Sequence, residues 1–152
     1  MKLLIDTHLL LWAAADTLPH DAVPYFLNDE NELFFSPASI WEIIIKKNLN
    51  RPDFRIDAFA LYQGLLHNGY TELNITNRHV LLIAGLPPIH KDPFDWKAGE
   101  PRQYDKFPLQ RRPPYRGGLH RLLVAQAKAE EAFLLTSDKI VSTYSPTIYV
   151  GK

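Results

Sequence analysis

The sequence contains no cysteine and no long apolar run, and its opposite charges cancel. Without cysteine, disulfides, thiolate metal sites and cysteine nucleophiles are all excluded. No apolar stretch approaches the roughly 18 residues that span a bilayer, so we expect no membrane partner. The net charge is zero, from 17 basic and 17 acidic side chains, and gives no indication of a nucleic-acid partner. A chain without cysteine fits the reducing cytoplasm, where we expect this protein to act.

The apolar run at the N-terminus follows a lysine, as in a signal peptide. Asp6 and His8 interrupt this run, however, and no small-residue cleavage site follows them. We therefore predict a short buried strand over residues 2–5 rather than a signal peptide.

Strand-like and helix-like segments alternate along the chain. The predicted strands cover residues 2–5, 32–36, 71–75, 132–136 and 147–150. The predicted helices cover residues 7–15, 19–28 with a break or kink at Pro24, 38–49, 57–68, 77–86, 119–131 and 138–144. In the helix over residues 57–68 we expect four inward side chains, those of Phe59, Leu61, Leu65 and Leu66. The alternation predicts one α/β domain over residues 1–152, a three-layer α/β/α sandwich with a mainly parallel sheet.

Residues 96–120 interrupt this alternation. The segment holds four prolines and three glycines, and its net charge is +4 while the rest of the chain carries −4. A connection this long without secondary structure is uncommon inside a domain, so we interpret it as a basic, Pro-rich insertion. Its arginines and aromatic residues could bind RNA. A mobile loop without a defined role, or a surface that packs on a second subunit, are the alternatives.

Four carboxylates stand out by position: Asp6, Glu42, Asp95 and Asp138. Glu42 lies among apolar residues of a predicted helix, where a charged group needs a metal, a cation or hydrogen-bond donors. An ion pair with Lys46, four residues on, is the alternative for Glu42. Asp6 and Asp138 each follow a predicted strand, at the sheet edge where α/β proteins bind ligands. Either could instead cap the helix that follows it.

Five sequence blocks resemble one protein family. They are Leu3-Leu4-Ile5-Asp6-Thr7-His8-Leu9-Leu10-Leu11-Trp12, Ser36-Pro37-Ala38-Ser39-Ile40-Trp41-Glu42-Ile43, His90-Lys91-Asp92-Pro93-Phe94-Asp95, Arg121-Leu122-Leu123-Val124-Ala125-Gln126-Ala127 and Leu135-Thr136-Ser137-Asp138. In content and order they resemble the PIN-domain ribonucleases, and within these the VapC-like toxins of type II toxin–antitoxin systems. The resemblance extends over nearly the whole chain except the insertion.

This resemblance implies an Mg²⁺- or Mn²⁺-dependent endoribonuclease that hydrolyses RNA phosphodiester bonds. Asp6, Glu42, Asp95 and Asp138 match the metal-binding acids of the family, and we expect Asp6 and Asp95 to be the more direct ligands. Such hard cations prefer oxygen ligands and can orient and activate water. The resemblance also implies a small cognate antitoxin as partner, and often a homodimer.

Neighbouring residues are second-tier candidates. Thr7 could hydrogen-bond a ligating carboxylate or simply begin a helix, and Thr136 or Ser137 could orient Asp138. His8 could contact RNA or have a structural role. Arg121 could touch phosphate, pair with a site acid or form a structural ion pair.

The sequence departs from the family pattern after Asp95. In the family the third acid runs directly into the Arg-Leu-Leu helix, whereas here 25 residues intervene and His120 takes the preceding position. The insertion could loop out with its ends close together, since closure entropy grows slowly with length. Alternatively, His120 could face the metal in place of Asp95. In the third case the site is incomplete, and the protein is a catalytically impaired PIN domain that only binds RNA or an antitoxin.

Overall fold

The apolar run that follows Lys2 forms the central strand of a parallel sheet. The structure, a computed structural model, describes residues 1–87 and 116–151, with Asp53 and residues 116–118 described in their backbone only. In this part of the chain the strands are β1 (Lys2–Ile5), β2 (Glu32–Phe35), β3 (Thr71–Glu72), β4 (Phe133–Thr136) and β5 (Thr147–Tyr149). The α-helices are α1 (Thr7–Ala14), α2 (Val23–Leu27), α3 (Pro37–Asn48), α4 (Ala58–His67), α5 (Asn77–Leu82) and α6 (Arg116–Ala129). Single 3-10 turns lie at Pro52–Phe54, Ile83–Gly85 and Val141–Thr143.

The strand order is β3-β2-β1-β4-β5, and every described pairing is parallel. The chain first builds outward from β1 through β2 to β3, and later returns to add β4 on the other side of β1. The order of connection therefore reverses between β1 and β4. In open parallel sheets the carboxyl ends of the strands at such a reversal form a crevice that binds ligands.

The sheet is covered on both faces because the side chains of β1 alternate between them. Leu3 and Ile5 belong to one core cluster with Leu9 and Leu10 of α1, while Leu4 packs on the other face with Leu123 of α6. All six side chains are fully buried, and each stabilises the fold by about 1.5–3 kcal/mol relative to exposure. This arrangement confirms the predicted three-layer α/β/α sandwich with a parallel sheet.

The predicted inward face of α4 is partly wrong. Leu61 and Leu65 are buried as expected, whereas Phe59 is 66% exposed and Leu66 is 45% exposed. The buried face contains Ala58, Leu61 and Leu65, which recur at helical spacing. Phe59 and Leu66 each come one residue after a member of this face, so their side chains point about 100° away from it around the helix axis. The apolar stripe in the sequence is wider than the surface that the sheet can cover.

Several predicted boundaries also differ from the structure. No helix begins at Pro19, because α2 begins at Val23. Pro24 therefore lies in the first turn of α2, where a backbone N–H has no partner within the helix, and it causes no kink. The third strand ends at Glu72 rather than at residue 75. Helix α6 begins at Arg116 and thereby takes in the last five residues of the predicted insertion. Within the described ranges, no helix is long and apolar enough to cross a membrane.

Candidate active site

Asp6 lies at the carboxyl end of β1, next to the point where the strand order reverses. Its carboxylate is fully buried and accepts two short hydrogen bonds. Oδ1 accepts the N–H of Thr7 at 2.6 Å, and Oδ2 accepts the hydroxyl of Thr136 at 2.6 Å. The first bond caps α1, as the simpler interpretation of Asp6 predicted. The second joins the ends of two neighbouring strands, so one carboxylate is fixed from both sides.

Thr7 connects Asp6 to Glu42. Its backbone N–H donates to Asp6, and its hydroxyl donates to Oε2 of Glu42 at 2.6 Å. Glu42 lies on α3, which packs against α1, and only 4% of it is exposed. The two carboxylates are therefore held in one buried network with a single threonine between them.

The second carboxylate oxygen of Glu42 contacts Lys46. The ammonium group of Lys46 donates to Oε1 of Glu42 and lies 4.4 Å from the ring centroid of Phe54. This is the ion pair, four residues apart on one helix, that the sequence offered as the alternative to metal binding. Glu42 thus has a cation beside it in the part of the chain that the structure describes.

The surroundings of Glu42 keep its carboxyl group ionised. Burial raises the pKa of Glu42, but the charge and hydrogen bond of Lys46, the hydroxyl of Thr7 and the charge of His120 together lower it below its ordinary value of 4.5. Glu42 therefore carries a full negative charge at neutral pH.

Asp138 is linked to Asp6 through Thr136. The Thr136 hydroxyl donates to Asp6 and accepts the backbone N–H of Asp138 at 3.0 Å. The side chain of Asp138 has a different role, because Oδ1 accepts the N–H groups of Ile140 at 2.7 Å and Val141 at 3.1 Å. Asp138 thus caps the 3-10 turn after β4, as its alternative interpretation predicted, and its half-exposed carboxylate lies beside the network.

The remaining predicted residues lie in three different settings. His120 is 9% exposed and lies in α6, beside Arg121. Arg121 is buried, and its Nη2 donates to the carbonyl oxygens of Ile83 at 3.2 Å and Leu86 at 3.3 Å, so these contacts are structural. Asp95, with most of the predicted insertion, lies outside the described residues.

His8 is packed between two aromatic rings. Its ring centroid lies 5.5 Å from that of Phe54 and 6.0 Å from that of Trp12. The ring is half-exposed, so the packing satisfies the structural interpretation of His8 while one part of the ring remains accessible.

The structure brings together Asp6, Thr7, Glu42 and Thr136, with His120 and Asp138 at the margin. Within residues 1–87 and 116–151, no three His, Asp or Glu side chains are arranged to hold a metal ion. The described residues thus supply two adjacent, oriented carboxylates, and a complete metal site requires a further ligand.

Sequence reasoning missed Ser39. Its hydroxyl is fully buried one turn before Glu42 and has no hydrogen-bond partner among the described residues. Residues three apart share a helix face, so the Ser39–Glu42 spacing was the available indication. A buried hydroxyl without a partner is costly, and Ser39 therefore marks a polar position beside Glu42.

Comparison with solved structures shows the same fold in proteins of distant sequence. VapBC2 from Rickettsia felis, in a crystal structure bound to a DNA fragment from their promoter, matches with a TM-score of 0.61 at 12% identity over 99% of this chain and 98% of that one. VapBC-1 from nontypeable Haemophilus influenzae matches with a TM-score of 0.55 at 15% identity over 98% of both chains. A domain of a functionally unknown protein from Methanocaldococcus jannaschii matches with a TM-score of 0.56 at 12% identity, over 99% of this chain and 91% of that one. No family model and no curated protein sequence matches the chain.

Proposed function

We propose that this protein is a metal-dependent endoribonuclease of the VapC-like PIN type. The observation that carries the proposal is the buried network in which Thr7 and Thr136 hold Asp6, and Thr7 also holds Glu42. Buried carboxylates are uncommon in a protein interior unless they are paired, hydrogen-bonded or bound to a ligand, and these two lie where a parallel sheet reverses its strand order. They are well placed for ligand chemistry, and the fold is one that VapBC structures share.

The donor set fits Mg²⁺ or Mn²⁺. A carboxylate has about four lone-pair sites, and the two hydrogen bonds to Asp6 described above use two of them, which leaves acceptor capacity on both oxygens. Asp6, Glu42, Asp95 and Asp138 would hold the ion, and oxygen ligands of this kind suit hard divalent cations. When bound, the ion would activate water and neutralise charge on the scissile phosphate.

The chain's own residues would orient and balance this site. Thr7 and Thr136 fix the rotamer of Asp6, so that little conformational entropy is lost when a ligand binds. Lys46 keeps Glu42 ionised and offsets part of the negative charge that an RNA phosphate would meet. Ser39 supplies a hydroxyl on the same face of α3 as Glu42.

We further propose a small cognate antitoxin as the protein partner, a homodimer as the assembly, and the cytoplasm as the place of action. The support is the fold that this chain shares with the solved structures of VapBC2 and VapBC-1. Neutralisation of a ribonuclease by a partner protein is the function that such a pair would have.

One observation favours a second candidate, a PIN-like module that binds RNA or an antitoxin without cleaving RNA. Both oxygens of Glu42 are already engaged, by Thr7 and Lys46, and the described residues contain no group of three ligands. A carboxylate satisfied in this way is stable without a metal.

Cleavage of a single-stranded RNA by antitoxin-free protein, with Mg²⁺ or Mn²⁺ against EDTA, distinguishes the two candidates. The variant is Asp6→Asn, because asparagine retains the helix cap while it loses the charge. The matched control is Glu32→Gln, which removes one exposed carboxylate at the opposite, amino end of the sheet. We expect metal-dependent cleavage by the wild type and the control, and a loss of more than about 100-fold in Asp6→Asn. Absence of metal-dependent cleavage in folded wild type would refute the enzyme and leave the binding module.

A further inference from the structure

A groove lies beside the C-terminal end of α3. It has a volume of about 480 Å³ and is lined by Lys47, Asn48, Asn50, Arg51, Phe54 and Arg55. These residues belong to the end of α3 and to the segment that includes the 3-10 turn at Pro52–Phe54. The groove is open to solvent, and its lining polar side chains are exposed.

Every polar side chain that lines the groove can donate a hydrogen bond, and every charged one is a cation. Three of the lining side chains are cations and two are amides, and none is a carboxylate. Among the side chains that the structure describes, which do not include that of Asp53, no carboxylate forms an ion pair with Arg51 or Arg55. Guanidinium groups and amides are the groups with which proteins hold phosphate oxygens.

The groove and the candidate active site share Phe54 as a neighbour. Phe54 lines the groove and lies 4.4 Å from the ammonium group of Lys46, which contacts Glu42. Phe54 also packs against His8, two residues after Asp6. Lys47, in the lining, is five residues beyond Glu42 on the same helix, a rise of about 7.5 Å.

We propose that this groove binds the sugar–phosphate backbone of a single-stranded RNA whose cleaved bond lies at the carboxylates. The inference rests on the proposed endoribonuclease function and names how that site holds its substrate. An endonuclease cuts within a strand, so the strand must continue over the protein surface beyond the cleaved bond. The groove supplies such a surface next to Glu42, with cations where the continuing phosphates would lie.

Recognition in this groove is of phosphates rather than of bases. Phe54 is only 3% exposed and offers no ring face for stacking, and the other lining side chains carry no aromatic ring. Binding through phosphates alone is independent of sequence and falls steeply with salt, because each phosphate contact releases counterions. We therefore expect similar affinity for oligonucleotides of different sequence at this groove.

The test compares two variants that each remove two positive charges. The groove variant is Arg51→Ala with Arg55→Ala, and the matched control is Lys2→Ala with Lys128→Ala. Lys2 begins β1 and Lys128 lies in the last turn of α6, both exposed and both toward the amino ends of the strands. Affinity for a fluorescein-labelled oligouridylate is measured by anisotropy at a series of KCl concentrations, in EDTA so that the RNA is not cleaved.

We expect the groove variant to bind oligouridylate roughly 2- to 30-fold more weakly than the control, as two exposed charge contacts are lost. The slope of log affinity against log salt should be shallower by about 1.4, at about 0.7 for each contact to a single strand. The same pair of variants is tested with a poly-glutamate peptide of similar charge. Thermal melts of all three proteins establish that each is folded.

Three results would overturn the proposal. If the wild type does not bind the oligouridylate, the groove does not bind RNA. If the two variants bind it with equal affinity, basic residues outside the groove are responsible for the binding. Loss of poly-glutamate binding in the groove variant, with RNA affinity retained, makes the partner an acidic protein segment. Since binding is measured without metal, a groove effect on affinity stands even if the protein proves unable to cleave RNA.

Discussion

Replacing Thr7 by valine removes one hydroxyl from the centre of the carboxylate network. The two side chains have nearly the same shape and similar helix propensity, so the change leaves packing and α1 intact. The N–H that Thr7 donates to Asp6 also remains. What is lost is the 2.6 Å hydrogen bond to Oε2 of Glu42, and a methyl group takes the place of the donor.

The expected cost follows from the burial of both partners. Thr7 is fully buried and Glu42 is 4% exposed, so water cannot replace the lost donor at full strength. A hydrogen bond to a charged group contributes about 1.5–3 kcal/mol, and we expect the free energy of unfolding at pH 7 to fall by about 2 kcal/mol. For a domain of this size the midpoint of thermal unfolding should fall by roughly 4–8 °C. Urea unfolding in EDTA measures the free energy without any contribution from bound metal.

The pH dependence of this cost gives a second, independent measurement. The pKa of Glu42 is lowered in the folded protein, so its stabilising contribution is complete above the ordinary value of 4.5 and is lost as the pH falls through the folded value. The difference between wild type and Thr7→Val should therefore narrow as the pH is lowered below about 4.5. The control is Thr143→Val, whose exposed hydroxyl donates to the Ile140 carbonyl oxygen at 2.6 Å, with an expected change within about 0.5 kcal/mol. A Thr7→Val cost as small as that of the control, or one that does not change with pH, would refute the network.

Two further substitutions separate the roles of the residues around the network. Lys46→Met keeps the aliphatic stem on Phe54 but removes the cation that lowers the pKa of Glu42. The pKa of Glu42 should therefore rise in an NMR titration. The free energy of unfolding at pH 7 should fall by about 2 kcal/mol. An unchanged Glu42 pKa would contradict the ion pair. Asp138→Ser retains a capping oxygen for the 3-10 turn, so stability should stay within about 0.5 kcal/mol while metal-dependent RNA cleavage falls. Cleavage at the wild-type rate would reduce Asp138 to a cap alone.

Strands β1, β2 and β4 were predictable because each is a short apolar run with a polar residue at its end or directly after it. β1 ends before Asp6 and β4 ends at Thr136, and the parallel register then places these two residues side by side. The inward face of α4 was less predictable, because nothing local to Phe59 or Leu66 reveals how wide a face the sheet covers. The length of β3 was also overestimated, because it depends on how far this strand pairs with β2, its one neighbour in the sheet, and not on its own residues.

The carboxylates of the candidate site were easier to predict than the groups that hold them. Asp6 and Glu42 stand out because a charge beside apolar residues is unusual in any sequence. Thr7 and Thr136 were named only as second-tier candidates, because their hydrogen bonds to Glu42 and Asp6 form only when α1, α3 and β4 meet. For Asp138, the sequence pattern is equally consistent with a capping residue and with a metal ligand. Only the structure of the turn that follows shows that its side chain accepts the N–H groups of that turn.

The long segment between α5 and α6 departs most from the family pattern, and the structure shows how its flanks are joined. Arg121 of α6 donates to the carbonyl oxygen of Leu86, so the chain just before residue 88 and the helix that begins at Arg116 lie together. The charge of His120, the residue before Arg121, lowers the pKa of Glu42. Because closing a longer loop costs little more than closing a short one, an insertion between these adjacent flanks is compatible with the fold.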